Sequence, residues 1–224
     1  MQNSKNGENM TRFIITRHGQ SIANAQCRFA GHSDFDLSEL GYAQAELVGE
    51  YIASNFKIDC IYSSDLLRAY NTAVPTSKKL GLSIIPTTDL REIYAGLWEG
   101  LTTDEIAVKY EHDFAVWKND YANSRCTEGE STKEVYARVL ATVKKIAEKH
   151  DGETVMLSTH ATLVRALCAY SQGLDDSRVG EIPFTHNASI NVFTYESGKL
   201  IPERLNIIEH LGDMVTGVHR SFGK

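Results

Sequence analysis

Cysteine and proline are scarce in this chain, four of each in 224 residues, and their placement excludes more than their number does. Cys27, Cys60, Cys126 and Cys168 form no CxxC pair and no dense cluster, which excludes a disulfide scaffold and a zinc knuckle. They read as reduced thiols in a cytoplasmic protein. The prolines mark no linker, and no internal repeat or low-complexity tract is visible. No segment approaches the roughly 18 consecutive apolar residues of a membrane span, and the polar start MQNSKNGENM lacks the apolar stretch of a secretory signal. Export by that route and membrane insertion are therefore not expected. Basic residues are also short: 23 Lys and Arg stand against 29 Asp and Glu, a net charge of −6 with no basic run, so a broad nucleic-acid-binding face is excluded. An acidic chain that binds an anion must do so with a few concentrated cations.

What is present is an alternation of short β-rich runs and amphipathic helical stretches, the pattern of parallel strands joined by helical crossovers. Strands are expected at 12–16, 60–62, 83–85, 154–158 and 190–195. The run 199–205 pairs with the last of these through Glu196-Ser197-Gly198, a hairpin-like link, giving the sheet an antiparallel edge strand. The expected class is α/β: a three-layer sandwich with a mostly parallel central sheet and helices on both faces. Ser131-x-x-Glu134 and Thr102-x-x-Glu105 have capping-box spacing at helix starts. After Ser131, Val135, Val139, Val143 and Ile146 share one face. After Thr102, Ile106, Tyr110, Phe114 and Trp117 make an aromatic stripe at helical spacing, read first as core and second as a ligand contact. Helices at 40–53, 66–80 and 162–172 complete the set, with Pro75 expected to kink or divide the second and Gly173 to cap the third. Residues 1–10 are expected to form a flexible leader and 11–224 a single domain, with a small helical cap inserted at about 101–128.

The chemistry sits at strand ends, where open α/β sheets place ligands. The first strand runs into Arg17-His18-Gly19, the second into Ser63-Ser64-Asp65 with Arg68 one turn into the next helix, and the fourth into His160-Ala161. Two arginines and two histidines converge on one sheet edge.

These pieces resemble the histidine phosphatase superfamily, the phosphoglycerate mutase-like fold, from about residue 11 to 195. They are Thr16-Arg17-His18-Gly19-Gln20-Ser21 with Asn24, Arg28-Phe29-Ala30-Gly31, Asp36-Leu37-Ser38-Glu39-Leu40-Gly41, Ser63-Ser64-Asp65 with Arg68, Leu90-Arg91-Glu92 with Gly96-Leu97-Trp98-Glu99-Gly100, Gly129-Glu130-Ser131 and Ser158-Thr159-His160. Any one of them is weak; their common order is specific. The resemblance implies that His18 is a nucleophile that accepts a phosphoryl group on a ring nitrogen. It also implies that Arg17, Arg68 and His160 surround the phosphoryl oxygens and that Glu92 is the general acid and base. Fixed cations suit a transfer in which charge spreads over those oxygens. Ser21, Asn24, Ala30, Gly31 and Ala161 are the remaining substrate-binding candidates, Ala161 standing where many members carry glycine. Asp89, Arg91 and Glu99 compete with Glu92 on chemistry alone, and only Glu92 holds the motif position.

No metal and no cofactor are expected: His32, His112, His150, His186, His210 and His219 show no ligand spacing, and no phosphate loop of the nucleotide-binding kind is present. Within the family, the mutase branch carries a long proline-rich basic insertion. Here the interval 101–128 has no proline, and its cations are only Lys109, Lys118 and Arg125, which favours a phosphomonoester hydrolase over a phosphoglycerate mutase. A non-catalytic phosphate or phosphopeptide binder would need the arginines but neither nucleophile nor acid. A small phosphorylated metabolite is the expected partner, with specificity set by Ile22, Ala23, Phe29, Ala30 and the cap. No heptad or long apolar edge assigns an oligomeric state.

Overall fold

The computed structural model describes residues 10–216; the expected leader at 1–9 and His219 lie outside the described residues. In chain order the elements are β1 (Met10–Arg17), α1 (Ile22–Ala25), α2 (Glu39–Asn55), β2 (Cys60–Ser64), α3 (Leu67–Leu80), β3 (Ile84–Thr87), α4 (Thr103–Lys109), α5 (Glu111–Asn119), α6 (Thr132–Lys149), β4 (Thr154–Thr159), α7 (Ala161–Ser171), β5 (Ile190–Glu196) and β6 (Lys199–Ile207). They form one six-stranded sheet of order β3-β2-β4-β1-β5-β6. The first four strands in that order are mutually parallel, β5 pairs antiparallel with β1, and β6 pairs antiparallel with β5. The fold is the expected α/β sandwich, and the expected hairpin of β5 and β6 forms its antiparallel edge.

The run Phe13-Ile14-Ile15 explains the layers. β1 lies between β4 and β5, so both faces of its side chains must be buried, and the strand is a continuous apolar stretch. Phe13 and Ile15 enter a core shared with Val155, Leu157, Val139 and Leu167, under α6 and α7. Ile14 points to the opposite core, with Met156, Val48, Ile52 and Ala73, under α2 and α3. Both expected capping boxes are present, at Thr102–Glu105 and Ser131–Glu134, and Gly173 follows α7 with a positive φ of 75°.

Three local expectations need correction. Met10 belongs to β1, its N–H donating to Asp151 Oδ1, rather than to a leader. α3 runs undivided through Pro75: α2 approaches so closely there that a β-carbon on Gly49 would lie 2.7 Å from Pro75 Cβ, and this packing offsets the missing amide bond. The aromatic stripe after Thr102 is broken at Tyr110, whose φ/ψ of −132°/46° ends α4 and starts α5. Lys109 closes the first helix and Glu111 and Asp113 open the second, charges that suit a C-terminus and an N-terminus respectively. Phe114 and Trp117 are buried with Phe29 and Trp98 in edge-to-face contact, so the core reading of the stripe holds.

Candidate active site

β1 and β4 are parallel neighbours, so the residues that follow them emerge side by side at the same sheet edge. His18 donates its backbone N–H to Thr159 O at 2.9 Å, and its carbonyl accepts from Ala188 N–H at 3.1 Å. Its imidazole is 3% exposed, with Nδ1 2.7 Å from Gly19 O. A carbonyl only accepts, so Nδ1 carries the proton and the lone pair is on Nε2. Gly19 N–H in turn donates to Thr72 Oγ1 at 3.0 Å, and that hydroxyl donates to Arg68 O at 2.7 Å, so one buried threonine ties the His18 loop to α3.

The cations are held by backbone carbonyls rather than by carboxylates. Arg68, 1% exposed, donates from Nη1 to Ser33 O at 3.1 Å and from Nη2 to Gly31 O at 2.7 Å. Arg17 donates from Nη1 to Thr185 O, while its buried Nε has no partner among the described residues. Burial lowers both guanidinium pKa values to about 10, with the nearby Glu92 charge opposing, so both stay charged at neutral pH. His160 is fully buried, its ring 5.1 Å from that of His18 in edge contact and both of its nitrogens without a partner among the described residues. Burial first, then Arg68, holds both imidazoles well below the ordinary histidine value, so both are neutral at pH 7.

The pocket at this edge is lined by Arg17, His18, Asn24, Ala30, Gly31, Arg68, Glu92 and Ala161 among the expected residues. Ser21 and His160 do not line it. Ser21 instead caps α1: its Oγ accepts from Asn24 N–H and its own N–H donates to Asn24 Oδ1, each at 3.1 Å. Asn187 Nδ2 also donates to that oxygen, which leaves the Asn24 amide N–H groups as its contribution to the pocket. Ala161 is the first residue of α7 with an ordinary backbone, so the alanine does not disturb the turn, and the helix N-terminus faces the pocket.

Of the competing carboxylates and their neighbours, only Glu92 lines the pocket. Arg91 is paired with Asp65 at 2.5 Å. Glu92 Oε1 accepts from Ile93 N–H at 2.9 Å, and the main chain beneath it is gripped by Arg138, whose Nη1 donates to the carbonyls of Asp89 and Arg91. Glu99 serves a different purpose. It accepts from His32 N–H at 2.7 Å and from Ser33 Oγ at 2.6 Å, holding the 31–33 loop whose carbonyls orient Arg68.

Several lining residues lie outside the expected set: Arg28, Ile93, Trp117, Thr162, Phe184 and Asn187. Trp117 is both core and pocket wall, so the two readings of the aromatic stripe are not exclusive. Phe29 and Ala30 line the pocket as specificity candidates, whereas Ile22 and Ala23 do not. Asn187 follows His186, the histidine singled out beyond the motif pair. The ring of His186 contacts Asn206, and it is the neighbouring asparagine that reaches the pocket.

The arrangement can hold a tetrahedral anion against an unprotonated imidazole nitrogen, with the Glu92 carboxyl group lining the same pocket. Comparison with known proteins agrees. The family model for the histidine phosphatase superfamily (branch 1) matches residues 13–208. Phosphoserine phosphatase 1 of Hydrogenobacter thermophilus is 32% identical over 95% of this chain and 100% of its own length. Among solved structures, Bacillus stearothermophilus YhfR superposes with a TM-score of 0.85 at 27% identity, covering 90% of this chain and 99% of its own. The mycobacterial glucosyl-3-phosphoglycerate phosphatase complexed with VO3 superposes with a TM-score of 0.80 at 31% identity, covering 88% and 98%. The chain belongs to the histidine phosphatase superfamily, branch 1, and is a phosphatase.

Proposed function

We propose that this phosphatase hydrolyses small phosphomonoesters in the cytoplasm through a phosphohistidine on Nε2 of His18. The observation that carries the reading is the 2.7 Å contact of His18 Nδ1 with Gly19 O beside two buried arginines: a neutral imidazole with its lone pair on Nε2, next to fixed positive charge. In the first step Nε2 bonds to phosphorus and the bond to the ester oxygen breaks, the Glu92 carboxyl giving its proton to that oxygen. In the second, a water loses a proton to the Glu92 carboxylate and attacks phosphorus, the P–N bond breaks, and His18 returns to its neutral form with Nδ1–H still on Gly19 O. Arg17, Arg68 and the Asn24 amide bind the phosphoryl oxygens throughout, and His160, buried behind the pocket wall with its ring 5.1 Å from that of His18, backs the nucleophile. The leaving group lies against Phe29, Ile93, Trp117 and Phe184, with α4 and α5 as part of a cap over residues 101–128 of a single domain.

Two relatives are named for phosphoserine and for glucosyl-3-phosphoglycerate, both monoesters of small hydroxy acids, and such compounds belong in the first substrate panel. The decisive measurement is phosphate release from p-nitrophenyl phosphate by the wild type and by His18→Ala, with acid-labile phosphohistidine followed after rapid quench. Turnover lost by at least a thousandfold in the variant, together with a labelled wild type, is expected. A wild type that releases no phosphate would overturn the reading. Isomerisation of 3-phosphoglycerate, given 2,3-bisphosphoglycerate, faster than hydrolysis would mark a mutase instead.

A further inference from the structure

Arg165 is a buried cation that the chemistry above does not use. It lies in α7, is 5% exposed, does not line the pocket and makes no ion pair among the described residues. Burying a guanidinium without a carboxylate is costly unless its donors and its faces are otherwise satisfied. Here they are. Nε donates to Ile182 O at 2.5 Å and Nη2 to Gly180 O at 2.7 Å. Two aromatic rings, perpendicular to each other and 5.8 Å apart, form a corner around it, with Tyr121 at 4.1 Å and Phe184 at 4.3 Å from the guanidinium carbon to the ring centroid. Tyr121 in turn meets Trp117 edge-to-face, ring centroids 4.7 Å apart.

The segment gripped in this way has little regular structure of its own: after the 3-10 turn at Asp176–Glu181 it runs as irregular backbone to β5. Two of its residues reach the active site. Phe184 lines the pocket, and Thr185 O accepts from Arg17 Nη1. Arg165 therefore holds the carbonyls of residues 180 and 182, stacks on residue 184, and stands one residue away from the carbonyl that aims Arg17.

We propose that Arg165 is a positioning residue, which through the 180–185 segment sets both the orientation of Arg17 towards the phosphoryl group and the Phe184 wall beside the leaving group. The inference rests on the reading of Arg17 as a phosphoryl-binding group. A lysine keeps the charge but lacks both the planar fork for two carbonyls and the broad guanidinium that fills the corner between two rings, so Arg165→Lys is not conservative here.

The test is the inhibition constant of inorganic phosphate and the KM for p-nitrophenyl phosphate in wild type and Arg165→Lys, with thermal unfolding alongside. Both constants are expected to rise about tenfold while kcat falls by a smaller factor. A merely structural residue would lower the folded fraction and hence the apparent kcat, leaving both constants unchanged. Unchanged constants in an active, folded variant overturn the inference. If Arg165→Lys does not fold, Tyr121→Leu and Tyr121→Phe carry the same test. The leucine removes a ring face under the guanidinium and is expected to raise both constants; the phenylalanine restores the ring and keeps them at wild-type values. Equal constants in the two variants overturn the inference as well. A wild type that neither releases nor binds phosphate removes the phosphatase reading itself, an outcome distinct from an active wild type with an indifferent Arg165→Lys.

Discussion

Gly41 of α2 meets the carbonyl of Gln20 backbone to backbone: a β-carbon at Gly41 would lie 2.0 Å from Gln20 O. The approach is reciprocal, since a β-carbon on Gly19 would lie 2.6 Å from Gly41 O. Two glycines in separate motifs thus form one contact, and that contact seats the loop whose Gly19 carbonyl orients His18. Neither neighbour is a side chain that can swing aside, so Gly41→Ala must displace the loop. It is expected to destabilise the fold by about 2 kcal/mol and to lower kcat/KM at least tenfold. Gly152, at φ 78° with open space around it, is the control. Gly152→Ala should cost about 1 kcal/mol of strain and leave turnover intact. Urea denaturation and p-nitrophenyl phosphate kinetics on both variants check this, and equal activities would refute the role of the contact.

Protonation should couple stability to pH through His18 and His160. Burial first, and then Arg68, lowers both folded-state pKa values well below the ordinary imidazole value. The unfolded chain therefore binds the extra protons first. Stability from this source is fully present above the unfolded value of about 6.5 and is lost as pH falls below it, by about 1.4 kcal/mol per pH unit for each group. The melting temperature is expected to fall steadily between pH 7 and 5, and less steeply in His160→Gln. For the same reason the acid limb of kcat/KM belongs below the ordinary imidazole range. A limb centred at 6.5 or above would contradict a neutral, buried His18.

Glu99 holds the loop whose carbonyls orient Arg68 and is expected to act on the reaction through that loop. Glu99→Ala releases the amide of His32 and the hydroxyl of Ser33, and with them the carbonyls on which Arg68 rests. A rise of about tenfold in KM for p-nitrophenyl phosphate is expected. Glu99→Gln keeps an oxygen for the His32 amide and should recover most of the loss. Steady-state kinetics on the pair decide it; a glutamine as poor as the alanine would mean that the charge near Arg68, not the loop, matters.

Glu92 is expected to reveal itself through leaving-group dependence. An alkoxide needs a proton as it departs and p-nitrophenolate does not, so Glu92→Gln should slow an alkyl monoester such as phosphoserine by 100-fold or more while affecting the phosphorylation step with the aryl ester far less. Burst kinetics with the aryl ester would then show the phosphoenzyme accumulating, because the second step has lost its base. Equal losses on both substrates would remove Glu92 from the leaving group.

Much of the fold was legible in the sequence because its signals are local. The run Phe13-Ile14-Ile15 must be buried on both faces wherever it sits, and Ser131-x-x-Glu134 caps a helix without help from the rest of the chain. The misreadings came where distant packing outweighs local preference. Pro75 was expected to kink or divide α3; the helix is not divided there, and Gly49 of α2 packs against the ring. Tyr110 has the right spacing for a continuous stripe, yet helix-end charges on both sides of it divide the stripe into two helices.

The sequence by itself determined which chemistry is on offer: the order of motifs names an imidazole, two guanidinium groups and a carboxylate, and each motif is short enough to read without knowing the fold. Only the tertiary structure decided how these groups are held. The carbonyls that aim Arg68 and Arg17 belong to residues 31, 33 and 185, far away along the chain, and any residue type supplies a carbonyl. Ser21 moved from binding to capping for a similar reason, since its hydroxyl has one short-range partner in Asn24 N–H and is buried by it. Backbone groups carry no signature in the sequence, and in this site backbone groups set the geometry.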